Sequence, residues 1–482
     1  MRLININIVF KVVSRILFII SGSLLICSVV GSIYSEQVQP FLLSSAGTLM
    51  LGLFLHFFIG GKTVESRLQR KDAYFTVTIS WLVMSLVGSL PYILSGAIPS
   101  VTDAIFESVS GFTTTGSSIL SDIESLPKSI LFWRSLTHWI GGIGIIVLVI
   151  VAMHSLQIGG YHLFMLESSL QEKFKPKIKT VGARLFTIYV LLTVAEVALL
   201  LAGGMNLFES LCHAFATIST GGFSPRNTSI AEYSPYIQYV VMLFMFLSGT
   251  NFVIHYFLLK RDFGKVRDNE EFRFYAGITL IIGVVVSLAL VIQMQKPVEE
   301  AIREGFFQVV SIVTCTGFAT ADYLQWPEYA WLIIFLAMFL GGSTGSTSGG
   351  IKMARYLVLY KNISLLLRKL IHPHAVISLR LNKKPLGSGS NSSILTFITV
   401  YFMVFLAGSL ILILLGIDIK TASSSVATCM ANIGPGIGTI GPASNFGHLP
   451  DLVKIILSFI MIVGRLEIYT VLILFTSHFW KK

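Results

Sequence analysis

The sequence predicts an all-α membrane protein made of four tandem helix, half-helix, loop and helix repeats, preceded by two extra transmembrane helices. Three observations predict this fold. The 482 residues are 54% hydrophobic and only 12% charged, whereas soluble domains carry roughly 25% charged residues. Ten apolar stretches are long enough to cross a bilayer, which takes about 20 residues. Four further stretches, too short to cross, each run into a string of glycine and hydroxyl residues.

Taken in chain order, spans at 9–34 and 40–60 form an N-terminal pair within 1–70. The first apolar run lacks a small-residue cleavage site and reads as a retained helix. Repeat 1 (71–160) has spans at 73–96 and 129–154 around a short segment at 102–113 that ends in "TTTGSS" (113–118). Repeat 2 (161–265) has spans at 182–203 and 234–259 around 206–218 and "ISTGGF" (218–223). Repeat 3 (266–375) places 299–314 and "VTCTGF" (313–318) between 273–294 and an interrupted span at 327–359. Repeat 4 (376–482) places 421–431 and "NIGPGIG" (432–438) between 392–416 and 450–479. Recurrence of one unit about every 100 residues is the mark of a repeat architecture.

Charge gives orientation. The formal net charge is +11, and with both termini cytoplasmic most of the 35 Lys and Arg residues fall on the cytoplasmic side, as the positive-inside rule requires. The basic excess therefore reads as topology rather than nucleic-acid binding, with anionic lipid as a secondary use. All four short segments then enter from the outer face. Cys27, Cys212, Cys315 and Cys429 are far apart in apolar surroundings and indicate neither a disulfide framework nor a zinc site. No HExxH, paired-carboxylate or Cys/His cluster points to an enzyme. His138, His213 and His255 read as core groups, and Trp133, Trp139, Trp326 and Trp480 as interfacial anchors.

Irregular backbone at membrane depth is tolerated only where it lines protein or a water-filled cavity. Four such loops can meet on one axis and surround a central pore. Glycine at Gly116, Gly221, Gly317 and Gly434 keeps side chains out of the bore. Backbone carbonyls can then replace a cation's hydration shell, with Thr and Ser hydroxyls adding oxygens. The half-helices direct their partly negative C-terminal ends at the pore centre, which also favours a cation. Acidic residues at their starts (Asp103, Glu107, Glu209, Glu299, Glu300) suit the positive ends. The expected filter residues are Thr114, Thr115 and Gly116; Ser219, Thr220 and Gly221; Cys315, Thr316 and Gly317; and Asn432, Ile433 and Gly434.

The interrupted eighth span carries "GGSTGSTSGG" (341–350). Its glycines would each cost a continuous helix about 0.8–1.0 kcal/mol relative to Ala. Gly341, Gly342, Gly345, Gly349 and Gly350 therefore predict a mid-membrane loop below the filter, placed to gate it, with Lys352 at its cytoplasmic foot. The competing reading is a packing kink. Arg465, inside the last span, is either a barrier to cations below the filter or half of a structural pair with a carboxylate such as Glu196. Glu467, two residues on, lies on a different helix face.

These strings, with "FWRSLTHWIGGIGIIVL" (132–148), "SGTNFVIHY" (248–256), "FLGGSTGSTSGGIKMAR" (339–355) and "GRLEIYT" (464–470), resemble the Trk/Ktr/HKT superfamily of cation transporters. The two extra N-terminal spans favour the bacterial TrkH type. The resemblance implies potassium uptake across the inner membrane and a homodimer with one pore per protomer. It also implies a gating loop, a pore arginine at Arg465, and control by a cytosolic TrkA-type nucleotide-binding subunit. Some relatives carry serine in place of the first filter glycine and pass sodium, so Gly116 supports potassium. The potassium ion is the cargo, and no organic cofactor is implied. A symporter coupled to protons or sodium is the alternative on the same fold, although the filter strings carry no carboxylate.

Overall fold

The computed structural model describes residues 4–59, 69–156, 178–375 and 377–481. The expected cytoplasmic linker through 157–177 lies outside the described residues. Among the described residues, six helices are long and apolar enough to cross a membrane, and two bent helix pairs raise the number to eight. Lys128–Leu156, of 29 residues, and the separate helices Glu328–Ala337 and Met353–Ile371 lie where the other two of the ten expected spans fall. The chain is a multi-pass membrane protein.

The extra N-terminal helices, Ile6–Ile33 and Gln39–Phe54, form a hairpin held by small polar residues. Ser21 Oγ donates to the Ser45 carbonyl and Ser45 Oγ to the Ser21 carbonyl, both at 3.0 Å. Such small residues let two backbones approach where lipid supplies no hydrophobic force between helices. Val13, Leu17, Ile20, Leu24 and Cys27 on the first helix are buried in the same core as Trp81, Phe106, Phe112 and Trp133 of repeat 1.

Each repeat then supplies a half-helix. These are Val101–Phe112, Leu207–Ile218, Val298–Val313 and Ile419–Ala431, within two residues of the bounds read from sequence. Their first turns are capped where composition anticipated it. Ser100 Oγ, Asn206 Oδ1 and an Asp418 carboxylate oxygen accept from backbone amides three residues on. The acidic residues there complement the helix dipole and find cations. Asp103 pairs with Lys454 at 2.6 Å and Glu209 with Arg226 at 2.7 Å.

Two spans expected to be continuous are bent. Pro235–Ser248 meets Phe252–Leu259 at 105°, and Asp451–Arg465 meets Tyr469–Phe475 at 109°. In the first, Gly249 and Thr250 interrupt the helix and Asn251 Oδ1 caps a new one by accepting from Val253 N at 2.9 Å. In the second, Glu467 and Ile468 both take positive φ, +59° and +34°, which an α-helix cannot accommodate. The tryptophan expectation also divides. Trp133 and Trp326 are core residues rather than anchors, and Trp133 Nε1 donates to the Gly88 carbonyl at 3.0 Å, while Trp480 is exposed.

A fully buried ion pair within repeat 1 braces it against repeat 2. Arg134 Nε donates to Glu107 Oε1 at 2.8 Å, and the two side chains are 1% and 0% exposed. The same carboxylate accepts from Ser118 Oγ and Ile119 N, just past the first glycine string. Arg134 Nη1 also reaches the Ser224 carbonyl of repeat 2 at 3.3 Å, and its guanidinium lies 4.1 Å over Phe223. Removing one partner of such a pair leaves a buried charge uncompensated, at a cost of about 3–5 kcal/mol. Glu107→Ala is thus expected to lower the detergent-solubilised thermal midpoint sharply, and an unchanged midpoint contradicts the bracing role.

Candidate functional site: a ring of four glycine loops

The four half-helices end in one way. A residue at or just past each C-cap takes a left-handed φ: Thr114 at +51°, Thr220 at +56°, Cys315 at +58° and the C-cap Asn432 itself at +56°. The next amide turns back to the carbonyl five residues earlier: Thr115 to Ser110, Gly221 to Ala216, Thr316 to Ser311 and Ile433 to Thr428, at 2.7–3.0 Å. This is the Schellman termination, which ordinarily places Gly or Asn at the left-handed residue. Thr and Cys there are strained, and strain of this kind gathers at functional sites.

The following residue in each loop is a glycine with positive φ: Gly116 at +82°, Gly222 at +83°, Gly317 at +81° and Gly434 at +107°. The structure therefore corrects the register of repeat 2. Gly222 occupies the position of Gly116, while Gly221 matches Thr115, Thr220 matches Thr114, and Ser219 is the helix C-cap. The Ser219 hydroxyl is used within its own helix, donating to the Phe215 carbonyl at 2.6 Å. The signal for this register was the shared Gly-Phe pair, 222–223 and 317–318. Alignment on the first glycine after a threonine passes over it.

These glycines interlock in a ring. A Cβ on Gly116 would strike the carbonyl oxygen of Gly221. One on Gly222 would strike that of Thr316, and one on Gly317 that of Ile433. A Cβ on Gly434 would lie 3.0 Å from the carbonyl oxygen of Thr115, which closes the circle. Each repeat's glycine thus abuts the backbone carbonyl of the next, in the order 1, 2, 3, 4, 1. Asn432 Nδ2 reinforces the closure by donating to Thr115 Oγ1 at 2.9 Å. The expected hydroxyl ligands are largely committed to the protein. Thr115 Oγ1 also bonds Thr113 Oγ1 at 2.7 Å, and Thr316 Oγ1 bonds Thr314 Oγ1 at 2.8 Å. Among the described residues the buried Thr114 hydroxyl has no protein partner.

A cavity of about 200 Å³ adjoins the ring and is lined by all four glycines, Gly116, Gly222, Gly317 and Gly434. On the other side of the ring lies the 341–350 loop. Gly349 sits against the Ala431 carbonyl at the end of the fourth half-helix, and a Cβ on Gly350 would stand 3.3 Å from Cys315 Sγ. The loop is tied to repeat 2 by Ser343 N donating to the Gly249 carbonyl at 2.8 Å and by Thr347 Oγ1 donating to the Ile218 carbonyl at 3.0 Å. Lys352, 8% exposed, donates to the Ser348 carbonyl within the loop.

Arg465 reaches the same loop from repeat 4. Its Nη1 donates to the Thr347 carbonyl at 2.7 Å and its Nη2 to the Gly141 carbonyl of repeat 1 at 3.3 Å. Among the described residues no ion pair joins Arg465 to Glu196 or Glu467; the Glu467 carboxylate pairs with Arg355. The structural-pair reading of Arg465 with Glu196 therefore fails. Gly345, Gly350, Lys352, Arg465 and Glu467 line a cavity of about 20 Å³, room for about one water.

Comparison with known proteins follows this geometry. The family model described as "TrkH: Cation transport protein" matches residues 48–482. The chain is 36% identical over 481 residues to the Trk system potassium uptake protein TrkH of Escherichia coli strain K12, covering 98% of this chain and 99% of that one. It is 38% identical over 417 residues to the Trk system potassium uptake protein TrkI of Halomonas elongata, covering 85% and 84%. Its fold is similar to the crystal structure of the potassium transporter TrkH from Vibrio parahaemolyticus, with a TM-score of 0.91, 32% identity, and coverage of 99% and 100%. Four interlocked glycine loops over a buried loop, on a chain matched along almost its whole length, place this protein in the TrkH family of cation transport proteins.

Proposed function

We propose that this chain conducts potassium into the cell through a pore whose selectivity filter is the four-loop ring. The observation that carries the proposal is the closure of that ring, in which each glycine abuts the next repeat's carbonyl. The names of the relatives, all potassium uptake proteins, agree with it. Carbonyls of Thr115, Gly221, Thr316 and Ile433 stand in for part of the ion's hydration shell, as in carbonyl-ring filters generally. The dipoles of four half-helices, ending at the ring, stabilise a cation there. The pore-forming residues are Thr114, Thr115, Gly116, Thr220, Gly221, Gly222, Cys315, Thr316, Gly317, Asn432, Ile433 and Gly434.

Beneath the ring, the loop from Gly341 to Gly350, with Lys352 at its foot, is the gate. Packed against the half-helix ends and leaving about one water's room beside it, it stands in the ion's route. Arg465 places a fixed positive charge under the filter and holds the loop closed. The chain works in the inner membrane as a homodimer with both termini cytoplasmic, under a cytosolic TrkA-type nucleotide-binding subunit. The "Trk system" of the relatives' names agrees with a multi-component assembly.

Serine at Gly116, Gly222 or Gly317 would push the neighbouring repeat's carbonyl out of the ring. Potassium-over-sodium permeability in proteoliposomes is expected to fall about tenfold in each, a cost of ~1.4 kcal/mol in discrimination. Gly434→Ser is expected to be mildest, since its Cβ would clear the Thr115 carbonyl oxygen by 3.0 Å. Unaltered selectivity in all four contradicts the filter.

Arg465→Ala is expected to raise partner-free potassium flux about tenfold, equivalent to ~1.4 kcal/mol, while the protein remains folded. Arg465→Lys keeps the charge but not the two-nitrogen fork. Low flux in the lysine variant assigns the effect to charge, and high flux assigns it to the lost loop contacts. A destabilised alanine variant without added flux contradicts both roles.

A further inference from the structure

The N-terminal turn of the third repeat's first helix, Glu270–Met294, faces two ways. Toward the pore, Glu271 Oε1 accepts from Thr344 N at 2.6 Å and from Ala354 N at 2.9 Å. Thr344 lies within the first half of the gating loop, and Ala354 is the second residue of the helix that follows it. One carboxylate oxygen, on a side chain 1% exposed, therefore closes the loop at its base. Charged acceptors make the stronger backbone hydrogen bonds. The carboxylate joins segments ten residues apart in sequence, so its bonds persist only while the loop keeps its folded-back shape.

Toward the cytoplasm, the adjoining residues hold a two-stranded hairpin, Arg380–Leu381 with Lys384–Pro385. Glu270 N donates to Asn382 Oδ1 at 2.8 Å, and Asn382 N donates to Glu270 Oε2 at 3.1 Å. Lys361 pairs with the same Glu270 carboxylate and donates to the Arg380 carbonyl at 2.8 Å. Lys383 reaches Asp268 at 3.2 Å. Leu381 and Leu386 complete the attachment by packing with Ala354, Leu357 and Val358 of the helix after the loop. The hairpin, the turn at 268–271 and both bases of the loop thus form one bonded unit.

We propose that Glu271 is the clasp of the gating loop, and that the 380–385 hairpin is the handle through which a cytosolic protein subunit releases it. This inference rests on the reading of 341–350 as a gate. The clasp and the handle share one helical turn, so a pull on the hairpin shifts Glu270 and Glu271 together. The two amides then lose their common acceptor, and the loop unfolds from beneath the filter. A surface read by a partner, with exposed Lys383 beside Asp268, needs no contact with the pore itself.

The test measures potassium flux in proteoliposomes of the full-length protein without its partner, together with thermal stability. Four forms are compared with wild type: Glu271→Gln, Lys361→Gln, the double variant, and a deletion of 343–348. Glu271→Gln preserves shape but removes the charge. It is expected to raise flux about tenfold with an unchanged thermal midpoint, a shift in the gate of ~1.4 kcal/mol. Lys361→Gln is expected to raise flux less, and the double variant to fall short of the product of the two, since both weaken one linkage. A deletion that raises flux while Glu271→Gln does not overturns the clasp and leaves the gate standing. A deletion without effect overturns the gate and the clasp with it. Full multiplicativity of the two single variants overturns the handle. If Glu271→Gln does not fold, Ser346→Cys in the wild-type and Lys361→Gln backgrounds supplies a second readout. Faster labelling by a cytosolic thiol reagent in the Lys361→Gln background supports release of the loop, and equal labelling overturns it.

Discussion

A helix that ends inside a membrane leaves backbone carbonyls without partners, and much of this structure follows from how four such endings are handled together. An unsatisfied polar group in hydrocarbon costs several kcal/mol. Each half-helix consequently ends in the same turn-back, with the amide of Thr115, Gly221, Thr316 or Ile433 recapturing a carbonyl five residues earlier. The carbonyls beyond that turn are brought together by the glycines of neighbouring loops. The same backbone groups that make a buried helix end costly are gathered into one ring where the four ends meet. The strain at Thr114, Thr220 and Cys315 accompanies that arrangement.

The loop at 341–350 meets the same constraint from the opposite side. It is irregular backbone held within the protein interior. Several of its backbone and hydroxyl groups are met by other segments: Gly249 and Ile218 from repeat 2, Arg465 from repeat 4, and Glu271 at its base. Few of its own residues bury large apolar side chains. A segment held by a modest number of specific polar contacts, with little hydrophobic anchoring, has a low opening free energy relative to the helices around it. This is what the proposed gate requires of a segment set in a rigid scaffold.

Much of this was legible in the sequence because it is local. Half-helix length, glycine strings and the broken span are set by residues close together, and the observed half-helices begin and end within two residues of the expected bounds. What could not be read depends on groups far apart. Gly222 rather than Gly221 enters the ring because the helix end fixes the count, and two adjacent glycines look alike in a string. The bends at 249–251 and 466–468 come from the Asn251 cap and from the positive φ of Glu467 and Ile468, whereas hydropathy alone runs straight through them. Glu271 resembles any first-turn acid of a helix, and its clasp position appears only once 344 and 354 are folded onto it. Trp133 sits near the end of a span yet is buried, since it packs on Phe112 and donates to the Gly88 carbonyl within the core.

The central claim is that the carbonyls of Thr115, Gly221, Thr316 and Ile433 encircle one cation position. A crystal structure of the protein soaked with rubidium or thallium, read by anomalous scattering, tests it most directly. The account predicts a peak on the axis of the four loops, at the level of those carbonyls and within coordination distance of oxygens from all four repeats. A peak confined to the outer cavity, with none inside the ring under conditions that support transport, would contradict it.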